Sequence, residues 1–216
     1  MRKLYNITAL AIVLALTLSL TACSNDSIVG KWRYSFDMSA YAKSMNANMT
    51  EAVSDSEKQA YGEMFTAFDG VTYDMIMEFK PDGTSSFTAD GDTVDAAQEK
   101  VTAGMKEALP RMYSALGVDL DAYLKQFNTT LDALVATTMQ TFDFSVLKES
   151  DISGAYRLEG DKLYTTGEGQ EEDTSRYLSV TLKSDTLTIT DAVGNVEGFD
   201  QYKNVFMPME MTRIKD

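Results

Sequence analysis

The chain has no histidine, one cysteine, one tryptophan and three prolines among its 216 residues, and 19 Lys+Arg stand against 33 Asp+Glu. Without histidine there is no Ser-His-Asp or Cys-His catalytic arrangement and no His-ligated zinc or copper centre. A single cysteine excludes an intrachain disulfide and a cysteine-cluster metal site. The net charge of −14 argues against nucleic acid as a partner, because phosphate binding rests on clustered Lys and Arg. In other respects the composition is globular, 44% hydrophobic and 24% charged, and the length suits one domain or one domain with a large insertion. Neither a cofactor, a metal nor an enzymatic activity is expected.

The first 22 residues differ from the rest. Arg2 and Lys3 form a short basic start, and residues 7–20 are an apolar run broken only by Thr8, Thr17 and Ser19. Such a run is too short to span the ~30 Å hydrocarbon core comfortably, and it has the layout of a cleaved secretory signal over residues 1–22. Leu20-Thr21-Ala22-Cys23 ends it, immediately before the polar Ser24-Asn25-Asp26. This resembles the lipobox of bacterial lipoproteins. The resemblance implies that Cys23 becomes the new N-terminus with its thiol lipidated, palmitate being a typical acyl chain. At about 0.8 kcal/mol per buried methylene, two or three chains hold a protein firmly. The expected location is therefore extracytoplasmic, lipid-anchored to the cell membrane or an outer membrane, with residues 23–27 as a brief tether. Cleavage removes Arg2 and Lys3 and takes the charge from −14 to −16. So acidic a body is repelled by anionic headgroups and hangs from its anchor.

From residue 28 the period changes to two. Ile28, Trp32, Tyr34, Phe36 and Met38 alternate with Val29, Lys31, Arg33, Ser35 and Asp37, the pattern of a half-buried strand. Val71, Tyr73, Met75, Met77 and Phe79 alternate in the same way, and Pro81-Asp82-Gly83 turns the chain into a second arm at 84–88. Later come 155–159, turning through Gly160-Asp161 into 162–166, then 177–183, turning through Ser184-Asp185 into 186–190. A final strand is expected over about 204–214, with Val205, Met207, Met209 and Met211 on one face. Sequential hairpins with one apolar face favour an antiparallel up-and-down sheet, and closure removes its edges. The expected fold is mainly β with helical insertions, an eight-stranded antiparallel barrel over 28–216, with an open sandwich as the competing arrangement.

Gly30-Lys31-Trp32 on the first strand resembles the Gly-x-Trp signature of lipocalins. In that family a basic residue from the end of the barrel packs over the tryptophan, and Arg213 is the matching position here. The closing Met209-Glu210-Met211-Thr212-Arg213-Ile214 is likewise similar to the tail of lipocalin-like domains in bacterial lipoproteins. The resemblance covers the two ends of the chain after the leader and the hairpin rhythm of its closing strands. It implies an up-and-down lipocalin-like barrel closed by Trp32 and Arg213.

Two helical insertions are expected, at about 39–68 and 92–144. In the first, Tyr41, Met45, Met49 and Ala52 share a face, as do Tyr61, Met64, Phe65 and Phe68, and Ser54-Asp55-Ser56-Glu57 reads as a capping box. In the second, Val94, Ala97, Val101, Met105, Ala108 and Met112 form one stripe, with Pro110 expected to kink or end it. Leu120, Leu124, Phe127, Leu131, Leu134 and Thr138 form another. The stripes read most simply as core; a lid over the barrel mouth and a docking surface are the sharper alternatives.

Other chemistry is thin. Alternating methionines suit cuprous copper, but with no histidine beside them they read better as core or as an adaptable apolar lining. Ser145-Val146-Leu147-Lys148 matches the S-x-x-K of serine acylases without its companion motifs, and reads as a polar turn. Glu168, Glu171, Glu172 and Asp173 form an acidic loop, solvated or weakly calcium-binding. A carboxylate-based site is the enzymatic rival. The expected function is binding of a small apolar or amphipathic ligand within the barrel, lined by Tyr34, Phe36, Tyr73, Met75, Met77 and Met209. The alternative is a non-enzymatic interaction module that meets an envelope protein through the helical insertions.

Overall fold

The computed structural model describes residues 27–47, 53–149, 151–194 and 203–215. The signal segment, Cys23 and the helix-face positions Met49 and Ala52 lie outside the described residues. Strands form where side chains alternate: β1 (Gly30–Asp37), β2 (Thr72–Phe79), β3 (Thr84–Ala89), β4 (Asp151–Glu159), β5 (Lys162–Gly167), β6 (Tyr177–Lys183), β7 (Thr186–Val193) and β8 (Met209–Arg213). Each pairs antiparallel with the next, and β8 returns to β1, so the sheet is a closed eight-stranded up-and-down barrel and not an open sandwich.

Register explains which side chains fill the interior. Trp32 faces Met77, Tyr34 faces Met75 and Phe36 faces Tyr73; Met77 in turn faces Phe87, and Leu187 faces Met211. The same parity carried round the barrel brings Leu163, Val180 and Ile189 inward. With Trp32, Phe79, Leu187, Met211 and Ile28 they fill one end of the barrel, the base. The hairpin turns at 80–83, 160–161 and 184–185 ring this end. Gly83 takes φ +85°, a region closed to most L side chains, which lets the chain reverse between β2 and β3.

Helices cover part of the opposite end, the mouth. α1 (Met38–Ala47), α2 (Asp55–Phe65) and a 3-10 turn (Thr66–Phe68) separate β1 from β2. α3 (Gly91–Ala115), α4 (Leu120–Gln126), α5 (Leu131–Met139) and α6 (Phe144–Glu149) separate β3 from β4, and α7 (Lys203–Phe206) precedes β8. The α3 stripe Val94, Ala97, Val101, Met105 and Ala108 is fully buried. It joins Phe36 and Tyr73 from the barrel, together with Phe68, Val135 and Phe144, in a second core. Each such side chain contributes about 1.5–3 kcal/mol on leaving water, so the insertions are fused to the barrel through its mouth. The capping box is present: Ser54 Oγ accepts from the Glu57 amide, and Glu57 Oε2 accepts from the Ser54 amide at 2.8 Å.

Several expectations need correction. Pro110 does not end its helix; α3 continues to Ala115, held by buried Ala108 and Leu109 and by Arg111, whose Nε stands 2.9 Å from Glu63 on α2. The 120–138 stripe is two helices, broken at a turn where Asn128 takes φ +47°, and Phe127 is 59% exposed. Tyr61 is 42% exposed, because Ala60 and not Tyr61 turns inward on α2. The last strand is shorter than 204–214, since Pro208 has no amide to give a ladder, and Met207 lies before it. β4 starts at Asp151, ahead of the expected 155, its first residues drawn into pairing with β3. Ser145 lies in α6, not in a turn.

Candidate functional site

The base is a lock. Arg213 Cζ stands 4.1 Å from the centre of the Trp32 ring, at the residue pair that joins β8 to β1. Its Nη1 donates to the Val29 carbonyl at 2.7 Å and its Nη2 to the Ser27 carbonyl. Trp32 Nε1 donates to the Ile28 carbonyl at 2.7 Å. The guanidinium is thus satisfied by an aromatic face and two carbonyls, and the segment 27–29 is pinned across the end of the barrel. Gly30 makes this possible: its φ is +132°, and a Cβ there would stand 2.7 Å from Arg213 Nη1. With Trp32, Leu163, Leu187 and Met211 entirely inaccessible, the base has no room for a ligand.

Beyond the Trp32 layer the interior opens on one side. A cavity of about 220 Å³ lies against β3, β4 and β5, bordered by Met77, Phe79, Phe87, Ile152 and Leu178 and by Ser85 and Thr165. Two glycines border it. Gly154 and Gly167 face each other across β4 and β5 in the inward row, where other strands place a side chain. β5 and β6 pair only at Lys162↔Ser179 and Leu163↔Leu178, so beyond Leu163 the wall parts toward the mouth. Ile152 belongs to the inward row opposite Phe87 and is nonetheless 63% exposed. The helices cover the β1–β2 side of the mouth, and the cavity meets water beside Ile152.

The lining joins apolar side chains to five serines and threonines, Ser85 and Thr165 among them in the inward rows, and holds no ionisable side chain. A charge placed there would lose its hydration without a partner, so the buried part of any occupant is neutral. The size lies between a roughly 150 Å³ apolar cavity that accepts benzene and the roughly 300–1,000 Å³ of drug-sized sites. It fits one small molecule or the end of a longer one.

The six residues expected to line a site all face inward, and the structure distributes them over three places. Met77 borders the cavity. Phe36 and Tyr73 are buried beneath the helices, their rings 5.1 Å apart, with Tyr34 and Met75 packed against them. Met209 packs on the base cluster. Burial pushes the Tyr73 phenol up to about 12, reinforced by Tyr34 and Tyr41, and raises Tyr34 as well, with Asp37 adding to it. Sequence reading missed Phe87, Ile152, Gly154, Gly167 and Leu178. Phe87 and Leu178 carried a usable signal in their strands' alternation; the glycines carried none, because a missing side chain has no period.

Other candidates have structural partners. Lys148 Nζ lies 2.8 Å from Asp95, and Ser145 Oγ donates to Asp143, so the S-x-x-K residues are not joined to each other. The Ser145 hydroxyl also holds the Asp143 carboxyl below its usual range. In the acidic loop, Glu172 receives Arg157 Nε and Nη2 at 3.1 and 2.6 Å, and Asp173 pairs with Arg176 at 3.1 Å. Among the described residues no group of three or more Cys, Asp or Glu is placed to hold a metal, and no helix is long and apolar enough to cross a membrane. No protein-family model, no curated protein and no solved structure matches this chain.

Proposed function

We propose that the chain is a non-enzymatic, lipid-anchored extracytoplasmic protein whose lipocalin-like barrel binds a small neutral apolar or amphipathic molecule in the cavity beside Met77, Ile152 and Leu178. The observation that carries the reading is that cavity: an apolar space of about 220 Å³ inside a barrel whose base is solid and whose mouth is only partly covered. Ser85 and Thr165 supply hydroxyls for one polar group of the ligand. The anchor rests on Leu20-Thr21-Ala22-Cys23.

Native mass spectrometry of the protein extracted from its own envelope tests the binding. The wild-type chain carries a small molecule that Gly167→Leu loses, since Gly167 borders the cavity and the atoms nearest a Cβ there are those of the flexible end of Gln170. Equal ligand loading in both proteins contradicts the site. Incorporation of labelled palmitate, abolished by Cys23→Ser, tests the anchor.

A second reading has its own observation. Tyr61, Leu116, Val118 and Phe127 are each more than a third exposed on the helical insertions, and Tyr61 and Leu116 border one apolar groove with Ala60 and Met112. These side chains suit contact with another envelope protein. Retention of such a partner by Gly167→Leu, with loss on Tyr61→Ser/Leu116→Ser, favours this reading.

A further inference from the structure

We infer that the solid base of the barrel is the membrane-facing end, so that the cavity, the mouth and the helical cap open to the aqueous compartment. This rests on anchoring through Cys23. Ser27 is the first described residue, and it lies at the base, where its carbonyl and that of Val29 accept from Arg213. Ile28 is buried in the base cluster, and the Arg213 amide donates to Asp185 in the β6–β7 turn at 2.8 Å. The chain therefore leaves the barrel from its closed end. Four peptide steps separate Ser27 from Cys23, and an extended chain gains at most about 3.3–3.6 Å per residue, so the acyl chains sit within about 14 Å of the base. Strand β2, Thr72–Phe79, spans roughly 25 Å at about 3.4 Å per residue. The tether is shorter than the barrel and cannot carry the mouth to the headgroups while the base stays away from them.

Charge gives the same orientation independently. The base turns carry Lys80, Lys162, Lys183 and Lys215 against Asp82, Asp161 and Asp185, with Lys215 paired to Asp185 at 2.6 Å. At the other end, α3 begins with Asp90 and Asp92, and the loop between β5 and β6 carries Glu168 and Glu171, beyond the carboxylates already paired there, Asp95 with Lys148, Glu172 with Arg157 and Asp173 with Arg176. An anionic leaflet repels that end and tolerates the base. The cavity thus exchanges its ligand with the aqueous phase or with a donor facing the anchored protein across it, and not with the bilayer that holds the anchor.

Depth-dependent quenching tests this with the full lipidated chain. Acylation occupies Cys23, the only cysteine, so Asp161→Cys at the base and Asp121→Cys on α4 each offer one free thiol for a bimane label. The labelled proteins are reconstituted into phosphatidylcholine–phosphatidylglycerol vesicles containing a headgroup-nitroxide lipid. Quenching several-fold stronger at 161 than at 121 is expected. Vesicle association with equal quenching, or stronger quenching at 121, overturns the orientation alone. Failure of both lipid-extracted proteins to associate with vesicles overturns the anchor and the orientation together.

Discussion

Arg213 has the most to do for a single side chain. It lies over the indole of Trp32 and ties residues 27 and 29 to the base. A cation–π contact of roughly 0.5–2 kcal/mol and two hydrogen bonds of about 0.5–1.5 kcal/mol each act through one group. Arg213→Met is expected to lower unfolding free energy by about 2–4 kcal/mol. The fluorescence of Trp32, the only tryptophan, reports the transition in denaturant, and an unchanged midpoint contradicts the account of the base. This contact was legible in the sequence because three features agreed: a Gly-x-Trp at the first strand, an Arg at the last, and shared parity with inward residues. Gly30 gains its structural reason only in three dimensions, from the guanidinium that occupies the space of its absent side chain.

Tyr73 gives the second prediction at this scale. Its phenol titrates at about 12 in the folded chain and near 10 when unfolded. The folded state therefore holds the proton more tightly, and this contribution is fully present below pH ~10 and lost as pH rises toward about 12. Alkaline unfolding should set in over that interval, and Tyr73→Phe should flatten the decline. A Tyr73→Phe profile parallel to wild type would show that another group governs it.

Among the elements, strands were read best where alternation met a turn. β2, β3 and β6 follow their apolar rows and the turns at 80–83 and 184–185. The start of β4 was missed because Asp151, Ser153 and Gly154 give no apolar row; pairing with β3 recruits them. Helices were read by period, which cannot see breaks made by geometry: the stripe through Phe127 passed unnoticed over a turn with a left-handed asparagine. Of the two outcomes expected at Pro110, a kink or an end, the helix does not end, since burial of neighbouring residues in the cap outweighs a lost helical hydrogen bond. The facing glycines of β4 and β5 separate two kinds of absence. A Cβ at Gly154 would come 2.0 Å from the Thr166 carbonyl oxygen, whereas the atoms nearest one at Gly167 are the side-chain end of Gln170, at 3.2 Å. Gly154→Ala is expected to destabilise by at least 1–3 kcal/mol, the usual cost of overpacking, and Gly167→Ala by much less. Similar thermal midpoints for the two variants would show that the β4–β5 wall yields freely.

For the molecule as a whole, closure of eight sequential antiparallel strands was legible, because hairpin after hairpin with one apolar face leaves few other ways to bury that face. The division of the interior was not. Trp32, Leu187 and Met211 plug one end, Phe36 and Tyr73 join the helices at the other, and the cavity lies against β3, β4 and β5, bordered by Gly154 and Gly167. Parity assigns a side chain to the inside of a barrel without assigning it a depth, which explains why Met77 alone of the six expected residues borders the space. Methyl-resolved NMR of the protein titrated with benzene is the most direct measurement of that space. Saturable shifts at Met77, Ile152 and Leu178, with the methyls of Leu187 and Met211 unmoved, are expected. Shifts confined to Leu116 and Val118 on the helical cap, or no saturable shift anywhere, would contradict a binding cavity inside the barrel.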